Sequence, residues 1–358
     1  MLSTARRLCW HHADLKSQKL GGSSTASAIF HCTLGGNLAS RQKTSVPSRK
    51  CSVSSEASVL IRESKGVGFV TLNRPKALNA LSLDMIRIMT PQLKKWKEEG
   101  MVKVVMVRGA GEKAFCAGGD IRAITAVPGG EIQRQFFKEE YQLDHLVGSY
   151  PIPYIALLNG ITMGGGVGVS VNGKWRVATE KTVFAMPETA IGLIPDVGGG
   201  FFLPRLQGQL GMFLGLTGHR LKGWDCFSAG LATHAVKGDD VSKLEEAISE
   251  LASRDENGAL DSQVKQLLDE FTPEEAREHD FSLEEHMDMI NRVFSADSVE
   301  EVVDRLEGEQ GDLAKRSLKS LKAASPTSLK VAHRQIREGT KASNLGEVLT
   351  MEHRLVTR

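Results

Sequence analysis

Residues 187–200 read PETAIGLIPDVGGG, with two carboxylates, Glu188 and Asp196, among residues that are otherwise almost all apolar or glycine. Eight positions separate them, with Gly192 and Pro195 in between. That interval fits neither the three- or four-residue spacing of helix neighbours nor an unbroken strand face. The stretch therefore reads as a loop, and the two acids meet only if the loop closes around something. Carboxyl groups shielded from water have raised pKa values and can serve as general base, general acid or nucleophile. A third acid belongs with them. Residues 131–149 have the spacing of a helix whose apolar stripe runs Ile132, Phe136, Leu143, Val147, and Glu140 falls on that stripe while Glu139 is turned about 100° away. An acid on a buried face needs a partner; the alternative is a boundary glutamate that reaches solvent or a lysine.

Two glycine-rich segments follow predicted strands: AFCAGGDIRAI (114–124), with Gly118 and Gly119 before a helix-capping Asp120, and NGITMGGGVGVSV (159–171), with Gly164, Gly165 and Gly166. Glycine lets backbone approach a ligand closely, and N–H groups at a helix start favour negative charge. Facing each other, such turns would form a two-donor oxyanion hole; taken singly, either reads first as a packing turn. Neither matches a phosphate loop or the dinucleotide-binding glycine spacing. His145, His219, His234, His279 and His286 lie in helical or variable-looking text, and no His/Asp/Glu group has metal-ligand spacing. Cys116 reads as a small buried residue rather than a nucleophile. The residues thus point to a dry pocket with backbone donors for an oxyanion and carboxylates for the chemistry, which suits acyl transfer or enolate chemistry on a carbonyl compound.

The elements that must position these groups alternate. VGFVTLN (67–73), VKVVMVRG (102–109), YIALLNG (154–160), KWRVATE and TVFAM read as strands, and 82–100 as a helix capped by Ser82, stopped by Gly100 and kinked at Pro91. Such alternation predicts an α/β fold with repeated crossovers and a sheet covered on both faces. After about residue 239 the text becomes a series of short amphipathic helices.

The 358 residues carry 45 Lys/Arg and 43 Asp/Glu, a net charge of +2. The first 50 hold eight of the Lys/Arg and one acid, a local +7, so the remainder stands at −5. An acidic body argues against nucleic acid as the main partner, and no run reaches the roughly 18 apolar residues of a membrane span. Residues 1–55, rich in Arg, Lys and Ser, predict a mitochondrial transit peptide; a disordered basic tail is the plain alternative. Of five cysteines, Cys9, Cys32 and Cys51 lie in that leader, and Cys116 and Cys226 form no disulfide framework.

LNRPKALNALS (72–82), KAFCAGGDI (113–121), PYIALLNGITMGGGVG (153–168) and FAMPETAIGLIPDVGGGFFLPRL (184–206) resemble the crotonase (enoyl-CoA hydratase/isomerase) superfamily, over roughly residues 59–353. The resemblance implies a crotonase-like α/β spiral of ββα units with a helical C-terminal region. The leader would occupy 1–55, the α/β core 56–238 and the helical region 239–358. It implies an acyl-CoA substrate, whose CoA is part of the substrate rather than a cofactor, no metal, and a possible assembly of identical chains. The thioester oxygen would sit between the N–H groups of Gly119 and Gly165. Hydratases of this group use two glutamates; one matches Glu188, while the other falls at Gly168, which has no side chain. Asp196 stands where hydratases usually have glycine, so Glu188 with Asp196 matches the hydrolase pattern as the catalytic pair, and Glu140 matches an acid that binds substrate. The implied reaction is hydrolysis of the thioester of 3-hydroxyisobutyryl-CoA, with 3-hydroxypropionyl-CoA as a second substrate, in valine catabolism in the mitochondrial matrix. Glu188 would act as nucleophile or as general base. The chain ends at MEHRLVTR where members of the family continue, which reads as a shortened C-terminus. A hydratase- or isomerase-type reaction and a non-catalytic acyl-CoA-binding role are the competing readings, the first opposed by Gly168.

Overall fold

Strands apolar on every residue need cover on both sides, and here they have it. The computed structural model describes residues 57–126, 130–255 and 258–357; the predicted leader lies outside them. One six-stranded sheet contains β1 (Val59–Ser64), β2 (Val67–Leu72), β3 (Val104–Gly109), β5 (Tyr154–Leu158), β7 (Trp175–Ala178) and β10 (His234–Ala235), in that spatial order. The β1–β2 pair is antiparallel and all later pairs are parallel. Successive residues of β3 point to opposite faces: Val105 and Val107 enter one core, Val104 and Met106 the other. The same division separates Ala156 and Leu158 from Ile155 and Leu157 in β5. This is why these segments carry no polar alternation.

A second, smaller sheet holds β4 (Ala114–Cys116), β6 (Ile161–Met163), β8 (Val183–Ala185) and β9 (Leu221–Lys222). The chain therefore alternates between sheets: β3 then β4, β5 then β6, β7 then β8, with helices after each pair. Those are the ββα units of the predicted spiral. The helices are α1 (Leu83–Glu99), α2 (Ile121–Ile124), α3 (Glu131–Gly148), α4 (Gly165–Val171), α5 (Gly199–Phe202), α6 (Leu210–Thr217) and α7 (Asp225–Ser228). Ser82 caps α1 by accepting from the Met85 N–H, and Gly100 ends it at φ 69°. Pro91 lies inside α1, which continues through it as one element.

The remaining helices are α8 (Val241–Arg254), α9 (Leu260–Phe271), α10 (Glu274–Arg277), α11 (Met287–Phe294), α12 (Val299–Glu307), α13 (Asp312–Ala323), α14 (Pro326–Gly339) and α15 (Leu345–Val356). They divide between the two faces of the large sheet. Leu244 and Ile248 of α8 and Val264 and Leu268 of α9 cover the face that bears Val104 and Ile155. Ile290, Phe294, Val302, Leu329, Ile336 and Leu349 join the larger core, shared with α1, α3 and the loops after β8. Through that core, α14 and α15 reach the stretch containing Asp196.

Candidate active site

A cavity of about 80 Å³ opens between the two glycine turns, α3 and the loop after β8. Glu140, Glu188, Asp196, Gly119 and Gly165 all border it, with Ile124, Phe136, Phe137, Met163 and Leu193 supplying apolar wall. The five residues singled out in the sequence thus come together in space. A larger groove, of about 550 Å³, lies on the outer side of α3 against α1. Four of its charges are matched, Arg87 with Glu139 and Arg134 with Glu131, and it lies outside the glycine turns that border the smaller cavity.

The glycine turns converge. Leu81 donates to Gly118 O and accepts from the Asp120 N–H, both at 2.8 Å, so this bridge brackets Gly119 without using its N–H. Gly165 is the first residue of α4, where an N–H has no partner within the helix. The Gly119 N lies 3.3 Å from where a Cβ on Gly165 would stand. Gly164, just before, has φ 47° and ψ −123°, a conformation that suits only glycine.

Glu140 sits mid-way along α3 with only 2% of its surface exposed, and its Oε1 would lie 2.5 Å from a Cβ on Gly165. Its neighbour Glu139 pairs with Arg87 at the surface, as the helical spacing requires. One residue of the predicted stripe fails: Ile132 is 55% exposed, because it lies in the first turn of α3, before the helix passes under its neighbours. Glu188 opens a single 3-10 turn, Glu188–Ile191, directly after β8, and its Oε2 is buried without a partner. Asp196 accepts from the Tyr141 hydroxyl at 2.7 Å.

Among the described residues, no basic side chain borders the cavity. Burial, reinforced by neighbouring carboxylates, holds Glu188 and Glu140 well above the usual carboxylate range. Burial also pushes Asp196 up, to about 6, although the Tyr141 hydroxyl pulls the other way. A carboxyl so raised is a stronger base once ionised. On α15, burial pushes Glu352 up to about 8 against the pull of two backbone N–H donors. Groups whose folded pKa lies above the unfolded value keep protons that the unfolded chain has lost, so stability falls as pH rises between the two values. For Asp196 and Glu352 that window runs from ordinary carboxylate pKa values up to about 6 and about 8. Urea midpoints measured from pH 4.5 to 8.5 are expected to decline. Each released proton contributes at most about 1.4 kcal/mol per pH unit, and Glu352→Gln is expected to flatten the upper part of the decline.

Three contributing acids and a tyrosine escaped the sequence reading. Asp144, also on α3, is fully buried with neither carboxyl oxygen hydrogen-bonded, and burial and neighbouring acids hold it well above its ordinary range. It lies four residues after Glu140, so the stripe that singled out Glu140 pointed to it too. Tyr141 was masked by its ordinary role as an aromatic core residue. Glu352 is fully buried and sits three and four residues beyond Leu349 and Val348, again an acid on an apolar stripe. The third, Asp120, was read only as a cap; it does cap α2, and it also pairs with Arg74 at 2.8 Å, tying the first glycine turn to the loop after β2.

Asp144 explains Gly168. A Cβ there would stand 2.5 Å from Asp144 Oδ1 and 2.9 Å from Cγ. The space that a side chain at 168 would enter is filled from α3. Gly168→Ala is therefore expected to lower unfolding free energy by about 1–3 kcal/mol through overpacking, measured by urea denaturation, with Asp144→Ala in the same chain recovering most of the loss.

The two-sheet spiral with its facing glycine turns is that of the crotonase fold, and the chain belongs to the enoyl-CoA hydratase/isomerase family: the model of the family described as Enoyl-CoA hydratase/isomerase matches residues 67–358. Among its relatives, a protein of Danio rerio named 3-hydroxyisobutyryl-CoA hydrolase, mitochondrial, is 53% identical over 301 residues, 83% of this chain and 77% of that protein. The Homo sapiens protein of the same name is 52% identical over 304 residues, 84% of this chain and 77% of that one. Among solved structures, a carnitinyl-CoA dehydratase from Mycobacterium thermoresistibile superposes with a TM-score of 0.76 at 34% identity, covering 84% of each chain. An enoyl-CoA hydratase from Rhodobacter sphaeroides does so at 0.74 and 32%, covering 84% of this chain and 85% of that one.

Proposed function

We propose that this protein hydrolyses the thioester of 3-hydroxyisobutyryl-CoA, and of 3-hydroxypropionyl-CoA, to free CoA and the 3-hydroxy acid, acting in the mitochondrial matrix in valine catabolism. The observation that carries the reading is the pairing of Glu188 with Asp196 at the cavity while position 168 has no side chain and its space is taken by Asp144. By resemblance to the superfamily, a hydratase would need a second glutamate at that position. The relatives named as hydrolases, at 53% and 52% identity, support the same reading.

In this reading the N–H groups of Gly119 and Gly165 receive the thioester oxygen as it gains negative charge; one such donor is worth on the order of 3 kcal/mol. Glu188 attacks the carbonyl carbon, giving a mixed anhydride that water then cleaves, or takes a proton from a water that attacks in its place. Either way the C–S bond breaks, the thiolate leaves and gains a proton, and water supplies the new oxygen of the acid. Asp196 accepts a hydrogen bond from the substrate 3-hydroxyl or holds the hydrolytic water, and assists proton transfer to the leaving thiolate. Glu140 orients the hydroxyacyl end.

A site that hydrogen-bonds a substrate hydroxyl discriminates against the analogue lacking it, because its own polar group is then left unpaired. Initial rates of thiol release from 3-hydroxyisobutyryl-CoA and isobutyryl-CoA test the proposal. Preference for the hydroxylated substrate by about 100-fold or more is expected, and equal rates would contradict the assignment of Asp196.

A further inference from the structure

We infer that Glu352, on α15, is a positioning residue for Asp196. It clamps the backbone just beyond that residue and so sets where its carboxyl stands in the cavity. The inference rests on the proposed function, which places Asp196 in the catalytic machinery.

The backbone after Asp196 does not hold its shape by itself. Val197 has φ 51°, and Gly198 follows at φ 91°. A β-branched residue in the left-handed region is strained, and such strain persists only where the surroundings over-determine it. Here they do so through α14 and α15. Glu352 Oε2 accepts from the Gly198 N–H at 2.8 Å, and its Oε1 accepts from the Gly200 N–H at 2.9 Å. Gln335 of α14 joins the two sides: its Nε2 donates to Glu352 Oε1 at 2.9 Å and to Pro195 O at 2.8 Å. Asn172 donates to Val197 O at 3.0 Å. Asp196 is thus bracketed on both sides of its own peptide units, Pro195 through Gln335 and Gly198 and Gly200 through Glu352.

Glu352 is fully buried and does not border the cavity. A carboxyl in such a place, bonded to three N–H donors that all serve one loop, has no substrate to touch. Its chemistry is spent on that loop. Space is tight as well: a Cβ on Gly200 would stand 3.2 Å from Glu352 Oε1 and 3.0 Å from Val348 Cγ1, so glycine at 200 lets α15 approach. Glutamine at 352 keeps one acceptor oxygen but sets an amide N–H against a backbone N–H, so it preserves half the clamp. Alanine removes it.

A double-mutant cycle tests the inference. Thiol release from 3-hydroxyisobutyryl-CoA is measured for the unaltered chain, Glu352→Ala, Asp196→Asn and the double variant. Asparagine at 196 keeps an acceptor for the Tyr141 hydroxyl. A misplacement of 1 Å can cost about 100-fold in rate. Glu352→Ala is accordingly expected to lower kcat by roughly 10- to 100-fold with KM changed less than about threefold. In the Asp196→Asn background the same change is expected to cost less than about threefold, because there is no functional carboxylate left to misplace. Glu352→Gln is expected to lie between the unaltered chain and Glu352→Ala. Equal losses in both backgrounds, or a loss confined to thermal stability, would overturn the positioning role. Should Glu352→Ala fail to fold, Glu352→Gln carries the same cycle with the same criterion. An Asp196→Asn variant with undiminished turnover would instead overturn the proposed role of Asp196, an outcome distinct from additivity.

Discussion

Glu188→Gln is expected to reduce thiol release from 3-hydroxyisobutyryl-CoA by about 10³-fold, within the 10²–10⁴ that a positioned acid–base group contributes. Glutamine keeps the size and the hydrogen-bonding plane of the side chain. It also fits the tight approach to the second glycine turn, where Glu188 Oε1 would lie 3.0 Å from a Cβ on Gly164. What it removes is the only property the mechanism needs, an oxygen able to take a proton or attack a carbonyl. KM is expected to change little, because Glu188 is one of several groups bordering the cavity. Stability is expected to hold or rise, since a buried carboxyl held above its ordinary range by desolvation is replaced by a neutral group. Thiol release followed with a chromogenic thiol reagent, alongside urea denaturation, separates the two effects. Near-normal release would exclude Glu188 as nucleophile and as base.

Asp196→Gly is expected to abolish the preference for a hydroxylated acyl chain. In the unaltered site the Asp196 carboxylate accepts from Tyr141 and, in the proposed reaction, from the substrate hydroxyl. Without it, kcat/KM for 3-hydroxyisobutyryl-CoA is expected to fall by about 10²–10³-fold, and that for isobutyryl-CoA to fall less, because there only the assistance to the leaving thiolate is lost. The substitution also leaves the buried Tyr141 hydroxyl unpaired, which costs about 1–3 kcal/mol, whereas removing both partners is far milder. Tyr141→Phe in the same chain is therefore expected to restore stability but not selectivity. Restored selectivity would assign the effect to folding rather than to the lost carboxylate.

Much of this was legible because the relevant signals are local. Continuous apolar text in β3 and β5 follows from burial on both faces. The Ser82 and Gly100 caps, and the 3.6-residue stripe that put Glu140 inside and Glu139 outside, need only helical periodicity. The reading of 187–200 as a non-strand connection needed only Gly192, Pro195 and the spacing of its acids, but it missed the 3-10 turn at Glu188–Ile191 and the start of α5 at Gly199. What stayed hidden depends on contacts across the chain. Asp144 matters through its fit against Gly168, and nothing in either segment announces the other. Glu352 lies 156 residues after Asp196, and its role rests on two N–H bonds to a strained turn that no pattern encodes. Ile132 illustrates the opposite error: periodicity continues to the helix end, but burial stops where the packing neighbours do.

The chemistry that separates this site from a hydratase can be read in one assay. The chain, with acyl-CoA in excess, is supplied with 3-hydroxyisobutyryl-CoA and, separately, with crotonyl-CoA, and free thiol and enoyl absorbance are followed together. The site described here predicts stoichiometric thiol release from 3-hydroxyisobutyryl-CoA and unchanged enoyl absorbance with crotonyl-CoA. Loss of enoyl absorbance without thiol would contradict it, as would binding of both substrates with no turnover of either.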